Sequence, residues 1–231
     1  MNTAIFGKLL THKNKWISLI AIIFLAYQSI SADSMLAKFG MPSLDSFIHE
    51  PRDLLVNRVE AARDMQTDSA EEFKSALEEF KSVTNFSGGD IESKYNSLNS
   101  TFERCEEAAE KVTNRVNRVE AAANKLLAEW RDELNDYHDP AIKSNAERQF
   151  DETRLQAEKL LAALRAVERK TEPVLGAFRD QVLFLKHNLN MQAISSLQQT
   201  TTEIEQDVTA LINEMEAAIA QAEQFIQAMN T

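Results

Sequence analysis

The sequence predicts an all-α fold: an elongated antiparallel helical bundle with coiled-coil packing and about four long helices. Three observations carry this. From Ile91 to Tyr137 the apolar residues keep nearly perfect seven-residue time: Ile91, Tyr95, Leu98, Phe102, Cys105, Ala109, Val112, Val116, Val119, Ala123, Leu126, Trp130, Leu134 and Tyr137 follow at steps of three or four. That spacing lays one narrow stripe along a single helix, and only other helices can cover it. Only five Gly and four Pro occur in 231 residues, too few for a strand-and-turn protein, while 44% apolar residues suffice for a core. Finally, the breaks in periodicity fall on residues whose chemistry makes turns.

The first helical segment starts after Pro51, and Leu55, Val59, Ala62, Phe73, Leu77, Phe80 and Val83 share one face of it. It ends at Asn85-Phe86-Ser87-Gly88-Gly89-Asp90, where the glycines permit positive φ and Asp90 can cap the next helix. The second segment carries the stripe above and closes at Tyr137-His138-Asp139-Pro140, with Asp139 as N-cap and Pro140 at the first helical position. In the third, Ile142, Ala146, Phe150, Thr153, Ala157, Leu160, Leu164 and Val167 form a stripe. Thr171, Val174, Phe178, Val182, Leu185 and Leu189 continue it in phase. Pro173 and Gly176 lie inside, and the unbroken phase predicts a kink rather than a boundary. His187-Asn188-Leu189-Asn190 makes the last turn, with Asn190 capping a helix that ends near Met229. Its seam is Ile194, Leu197, Thr201, Ile204, Val208, Leu211, Met215, Ile219, Ala222, Ile226 and Met229.

One repeat sets a register. Asn57-Arg58-Val59-Glu60-Ala61-Ala62 recurs letter for letter at Asn117 to Ala122. If the first two helices fold back at Gly88-Gly89, Val59 and Val119 face one another across the turn.

The first residues read as an address. Lys8, Lys13 and Lys15 precede an apolar run, Trp16 to Tyr27, and small residues follow at Ser29, Ser31 and Ala32. This is the layout of an export signal, with cleavage after Ser31 or Ala32. The rival reading is an uncleaved anchor, although a spanning helix needs about 20 apolar residues and Gln28 interrupts the run. The expected organisation is therefore residues 1–32 as signal peptide or N-terminal anchor, 33–51 as connector and 52–231 as the bundle.

The chain carries a net charge of −11, and its part from Asp33 onward holds 22 basic against 36 acidic residues, net −14. Such a surface repels phosphate backbones and anionic head groups, so nucleic acid is not an expected partner, and membrane contact is expected only through an uncut N-terminal segment. The single cysteine allows no internal disulfide, and Cys105 falls on the stripe, where a thiol packs as a small hydrophobe. No Glu-x-x-His spacing suits a di-iron bundle around His12, His49, His138 or His187, and no phosphate loop, nucleophile elbow or His-Glu-x-x-His occurs. No enzyme, no metal and no cofactor are expected. Acidic pairs such as Glu71-Glu72 and Glu106-Glu107 read as solvated faces.

The richest chemistry lies from Phe178 to Asn190. Arg179, Asp180, Lys186, His187, Asn188 and Asn190 form a candidate interaction surface beside aromatic and aliphatic bulk. The alternative is a well-capped corner, in which Lys186 and His187 meet the negative end of the helix dipole and the asparagines turn the chain.

Several stretches resemble the bacterial family known as domain of unknown function 2959. They are Val59-Glu60-Ala61-Ala62-Arg63-Asp64, Glu72-Phe73-Lys74-Ser75-Ala76-Leu77, Asn85-Phe86-Ser87-Gly88-Gly89-Asp90 and above all Glu172 to Asn190. The resemblance covers most of Pro51 to Met229 and implies an exported helical protein of Gram-negative bacteria, with no catalytic residues to carry over. Members often look like lipoproteins. Here Tyr27 stands about where the lipid-bearing cysteine would fall, so no lipid anchor is expected.

These readings converge on a periplasmic, non-enzymatic bundle acting as scaffold or interaction module for an envelope protein that the sequence does not name, in an oligomeric state left open. The alternative is a ligand-sensing bundle with a site near the Pro173 kink, close to Phe178 and His187. Weak binding of divalent cations by the acidic faces is a third.

Overall fold

A computed structural model of the chain describes residues 44–230, with side chains from residue 51. The expected signal or anchor segment and most of the expected connector lie outside the described residues. Four helices follow: α1 (Leu44–Thr84), α2 (Ile91–Glu133), α3 (Pro140–His187) and α4 (Met191–Met229), with a 3-10 turn, Leu134–Asp136, after α2. The fold is all-α, and no strand occurs among the described residues. Helix α1 begins within the stretch read as connector and runs through Pro51, because a 41-residue helix survives the loss of one backbone bond. Pro51–Thr231 form one compact unit, built from the rest of α1 and all of α2, α3 and α4.

The turns use the expected chemistry. Asp90 accepts from the backbone N–H groups of Glu92 and Ser93, Asp139 from those of Ala141 and Ile142, and Asn190 from that of Ala193. Each side chain satisfies helix N–H groups that have no partner within their own helix. Gly89 has φ +123, a conformation that side chains with a Cβ resist. Helix α3 runs unbroken through Pro173.

Cross-links between helices define the packing. Cys105 Sγ donates to the Glu72 carbonyl (3.4 Å) and Arg104 Nε to the Glu72 carboxylate (3.0 Å), fixing α2 antiparallel to α1. Carried along both helices, that register sets Val59 level with Arg118, one place from Val119, and both valines are fully buried. Arg165 of α3 reaches Asn117 (2.9 Å) and the Glu120 carboxylate of α2. Lys170 meets Glu214 of α4 (2.8 Å), and Lys81 of α1 meets Glu205 of α4 (2.6 Å). Across the middle, Phe80 and Phe178 pack edge to face, 5.7 Å apart. The helices thus close a ring around one core. At its corner, Gln198 of α4 donates to the Thr84 carbonyl (2.6 Å) and so satisfies the end of α1.

All seven apolar residues assigned to α1's face are buried. On α4 the buried face is wider than the expected seam, adding Ala193, Ile212, Ala218 and Phe225, because a helix in a four-helix core touches two neighbours. Three stripe members are exposed instead. Tyr137 is 41% exposed because the last turn of α2 tightens to 3-10 and the chain then extends, breaking the phase. Ile142, 52% exposed, sits on the first turn of α3. The Lys170–Glu214 register sets Met229 level with Leu155, so those first turns of α3 extend past the end of α4. Leu127, Trp130, Leu134, Ala146 and Phe150 make a separate small cluster there, with Trp130 edge-on to Phe150 at 5.9 Å. Leu189 falls in the α3–α4 turn, outside either helix.

Candidate functional site

The stripe that holds α3 in the core decides what its C-terminal turns show to solvent. Val182 and Leu185 are buried. Positions 183, 184, 186 and 187 therefore turn outward, since helical neighbours lie about 100° apart. Leu183 and Phe184 are exposed there, and Leu189 and Met191 continue the patch across the turn. Among the described residues seven large apolar side chains are exposed, and four of them stand within these nine positions. Lys186 and His187 are exposed beside them.

The structure divides the six predicted surface residues into four groups. Asn188 and Asn190 build the turn: Asn188 Nδ2 donates to the Phe184 carbonyl (2.9 Å), its N–H bonds to Leu185 (3.1 Å), and Asn190 caps α4. Arg179 belongs to the α2–α3 seam. Its guanidinium donates to Glu106 (2.6 Å) and lies 5.9 Å over the Phe102 ring, and the Glu106 carboxylate holds its pKa above the ordinary arginine value. Asp180 is exposed one turn behind Phe184. Only Lys186 and His187 join the apolar patch. Sequence reasoning did not single out Leu183, Phe184 and Met191, although the first two stand off the stripe, and that is the signal that marks them.

A second feature lies beside Pro173. Between α2 and α3 runs a groove of about 300 Å³, walled by Glu106, Glu110, Glu168, Glu172 and Arg179 over Ala109, Val112 and Leu175. Of the two residues expected close to such a site, neither lines the groove. Phe178 is buried against Phe80, and His187 stands about 20 Å further along α3. Among the described residues no three His, Cys, Asp or Glu side chains converge to hold a metal ion.

Cys105 is buried, and burial first, then the Glu72 charge, pushes its thiol up to about 12. A thiol held protonated at neutral pH is a poor nucleophile. Gln66 and Ser69, one turn apart on α1, are buried to 1% and 0% exposure, and neither side chain finds a hydrogen-bond partner among the described residues. The sequence gives no sign of them beyond polar letters at core positions of the heptad.

Among the described residues no helix is long and apolar enough to cross a membrane. No curated protein matches this chain. Residues 42–229 match a family model described as "Protein of unknown function (DUF2959)", most of the chain and nearly the whole bundle. The chain belongs to that family.

Proposed function

We propose that this protein is a non-enzymatic interaction bundle of the bacterial cell envelope, a scaffold or adaptor that meets its partner through the α3–α4 corner. One observation carries the reading: Leu183, Phe184, Leu189 and Met191 are exposed together beside Lys186 and His187, while the long stripes of the same helices are buried. Apolar side chains left in water at a rigid corner lose hydrophobic stabilisation that a docking partner restores. The basic, apolar and small residues before Asp33 support export to the periplasm, with or without retention at the inner membrane.

The test is a photo-crosslinking amino acid placed at Phe184 in the full chain, expressed in a Gram-negative host, with Glu107 on the acidic face as control. A discrete protein adduct at position 184 and none at 107 is the expected result. Equal labelling at both positions, or none at either, removes the reading, and recovery of the chain from the cytoplasm removes its envelope placement.

A second reading, a ligand-binding bundle, draws on the groove beside Pro173. Its mark is a thermal shift with a small organic cation that Leu175→Trp abolishes by filling the groove floor.

A further inference from the structure

Of the three remaining exposed apolar side chains, Leu155 stands alone along α3 and the other two lie near one another in the chain. Tyr137 and Ile142 lie five residues apart in the chain where α2 hands over to α3. Helix α3 separates this tip from the α3–α4 corner, since Ile142 and Leu183 lie on its first and last turns, about 60 Å apart. The two places differ in charge: the tip is acidic, while Lys186 is the one formal charge between Leu183 and Met191. Asp132, Glu133, Asp136 and Asp139 crowd the tip within eight residues. Partial burial, then repulsion from Glu129 and Asp136, holds the Glu133 carboxyl above its ordinary range, a sign that acids are crowded there. Arg131 is spent locally, 5.5 Å over the Phe150 ring, while Lys143 on α3 offsets part of the acid. At the corner, Lys186 and His187 stand among the apolar groups, with Asp180 one turn behind.

We propose that the bundle docks end to end with further copies of itself, the Lys186–Met191 corner of one copy receiving the acidic tip at Tyr137 and Ile142 of the next. This rests on the interaction-bundle reading and names its partner. A corner meeting a second corner would bring Lys186 and His187 against their own equivalents, and tip against tip would oppose four carboxylates to four. Corner against tip sets cation beside carboxylate and covers apolar surface on both sides. Two unlike patches on one chain make a heterologous contact, which repeats into an open row unless the rotation closes a ring.

Single cysteines test the pairing cleanly, because the native Cys105 is buried. Full-length Phe184→Cys and Tyr137→Cys chains are expressed separately and together, then treated in intact cells with copper-phenanthroline as oxidant. Both positions are exposed, and unchanged melting curves verify that each variant folds. A disulfide-linked dimer that forms only when both variants are present is the expected result. Adding Lys186→Glu should reduce its yield by up to about fivefold, the upper worth of one exposed ion pair. A dimer from Phe184→Cys alone means corner-to-corner pairing and overturns the proposal. Capture of a different protein at position 184 without self-linkage also overturns it, yet leaves the interaction-bundle reading intact. Absence of any linkage at 184, with a silent photo-crosslink there, overturns both.

Discussion

Replacing Gln66 by Met should make this protein more stable. The Gln66 side chain is 1% exposed, and neither its amide nitrogen nor its oxygen has a hydrogen-bond partner among the described residues. In the unfolded chain water satisfies both atoms; folding removes that water, and no described group replaces it. Leaving a buried polar group unpaired costs about 1–3 kcal/mol. Methionine keeps the unbranched length of glutamine and exchanges the amide for apolar atoms, so little new strain enters. The expected gain is therefore about 1–3 kcal/mol, or roughly 2–12 °C in Tm for a chain of this size. Urea unfolding followed by helical circular dichroism at 222 nm measures it directly, with parent and variant compared at equal slope. A loss of about 1 kcal/mol or more would refute the reasoning, because it would mean that the amide is well paired in solution.

Three further outcomes follow from the same structure. Phe80→Ala, at a fully buried ring packed on Phe178, should lose about 3–5 kcal/mol in urea unfolding. Gly89→Ala should lose about 1 kcal/mol from φ strain alone, since the added Cβ would meet the Phe86 ring only at an ordinary 3.5 Å. Cys105 should resist iodoacetamide at pH 8 in the native protein and react on unfolding. Its folded pKa of about 12 lies above the ordinary 9.0, so the folded state holds the proton more tightly. The Cys105 contribution to stability is thus complete below pH 9 and is lost as pH rises toward 12, a slope that Cys105→Ala should flatten.

Much of the fold was legible because it depends on local rules. The seven-residue beat named the helices, and Asp90, Asp139 and Asn190 named their starts, since a cap needs only its own side chain and the next turn. What the period could not reveal was where it stops being obeyed. Tyr137 continues the count, but the 3-10 turn before it takes the chain off the helical path. Ile142 keeps the phase of α3 and is still exposed, because α4 ends too early to cover it. Leu183 and Phe184 matter for a tertiary reason as well: they become a patch only because Val182 and Leu185 are fixed inward and Met191 lies across the turn. The same limit applies to Arg179, which chain position grouped with Lys186 but Glu106 of another helix claims. Gln66 and Ser69 are the sharpest case, since only packing shows that they are sealed from water without partners among the described residues.

The central claim is that Leu183 and Phe184 stand in water so that another surface can cover them, and that the fold does not need them. Changing both to serine and following the photo-crosslink from Leu189 in living cells tests this most directly, with a melting curve on the same variant. The account expects an unchanged Tm, within about the 2–4 °C that 1 kcal/mol represents, and a lost adduct. A Tm that collapses as a core substitution would make it, or an adduct that survives undiminished, contradicts it.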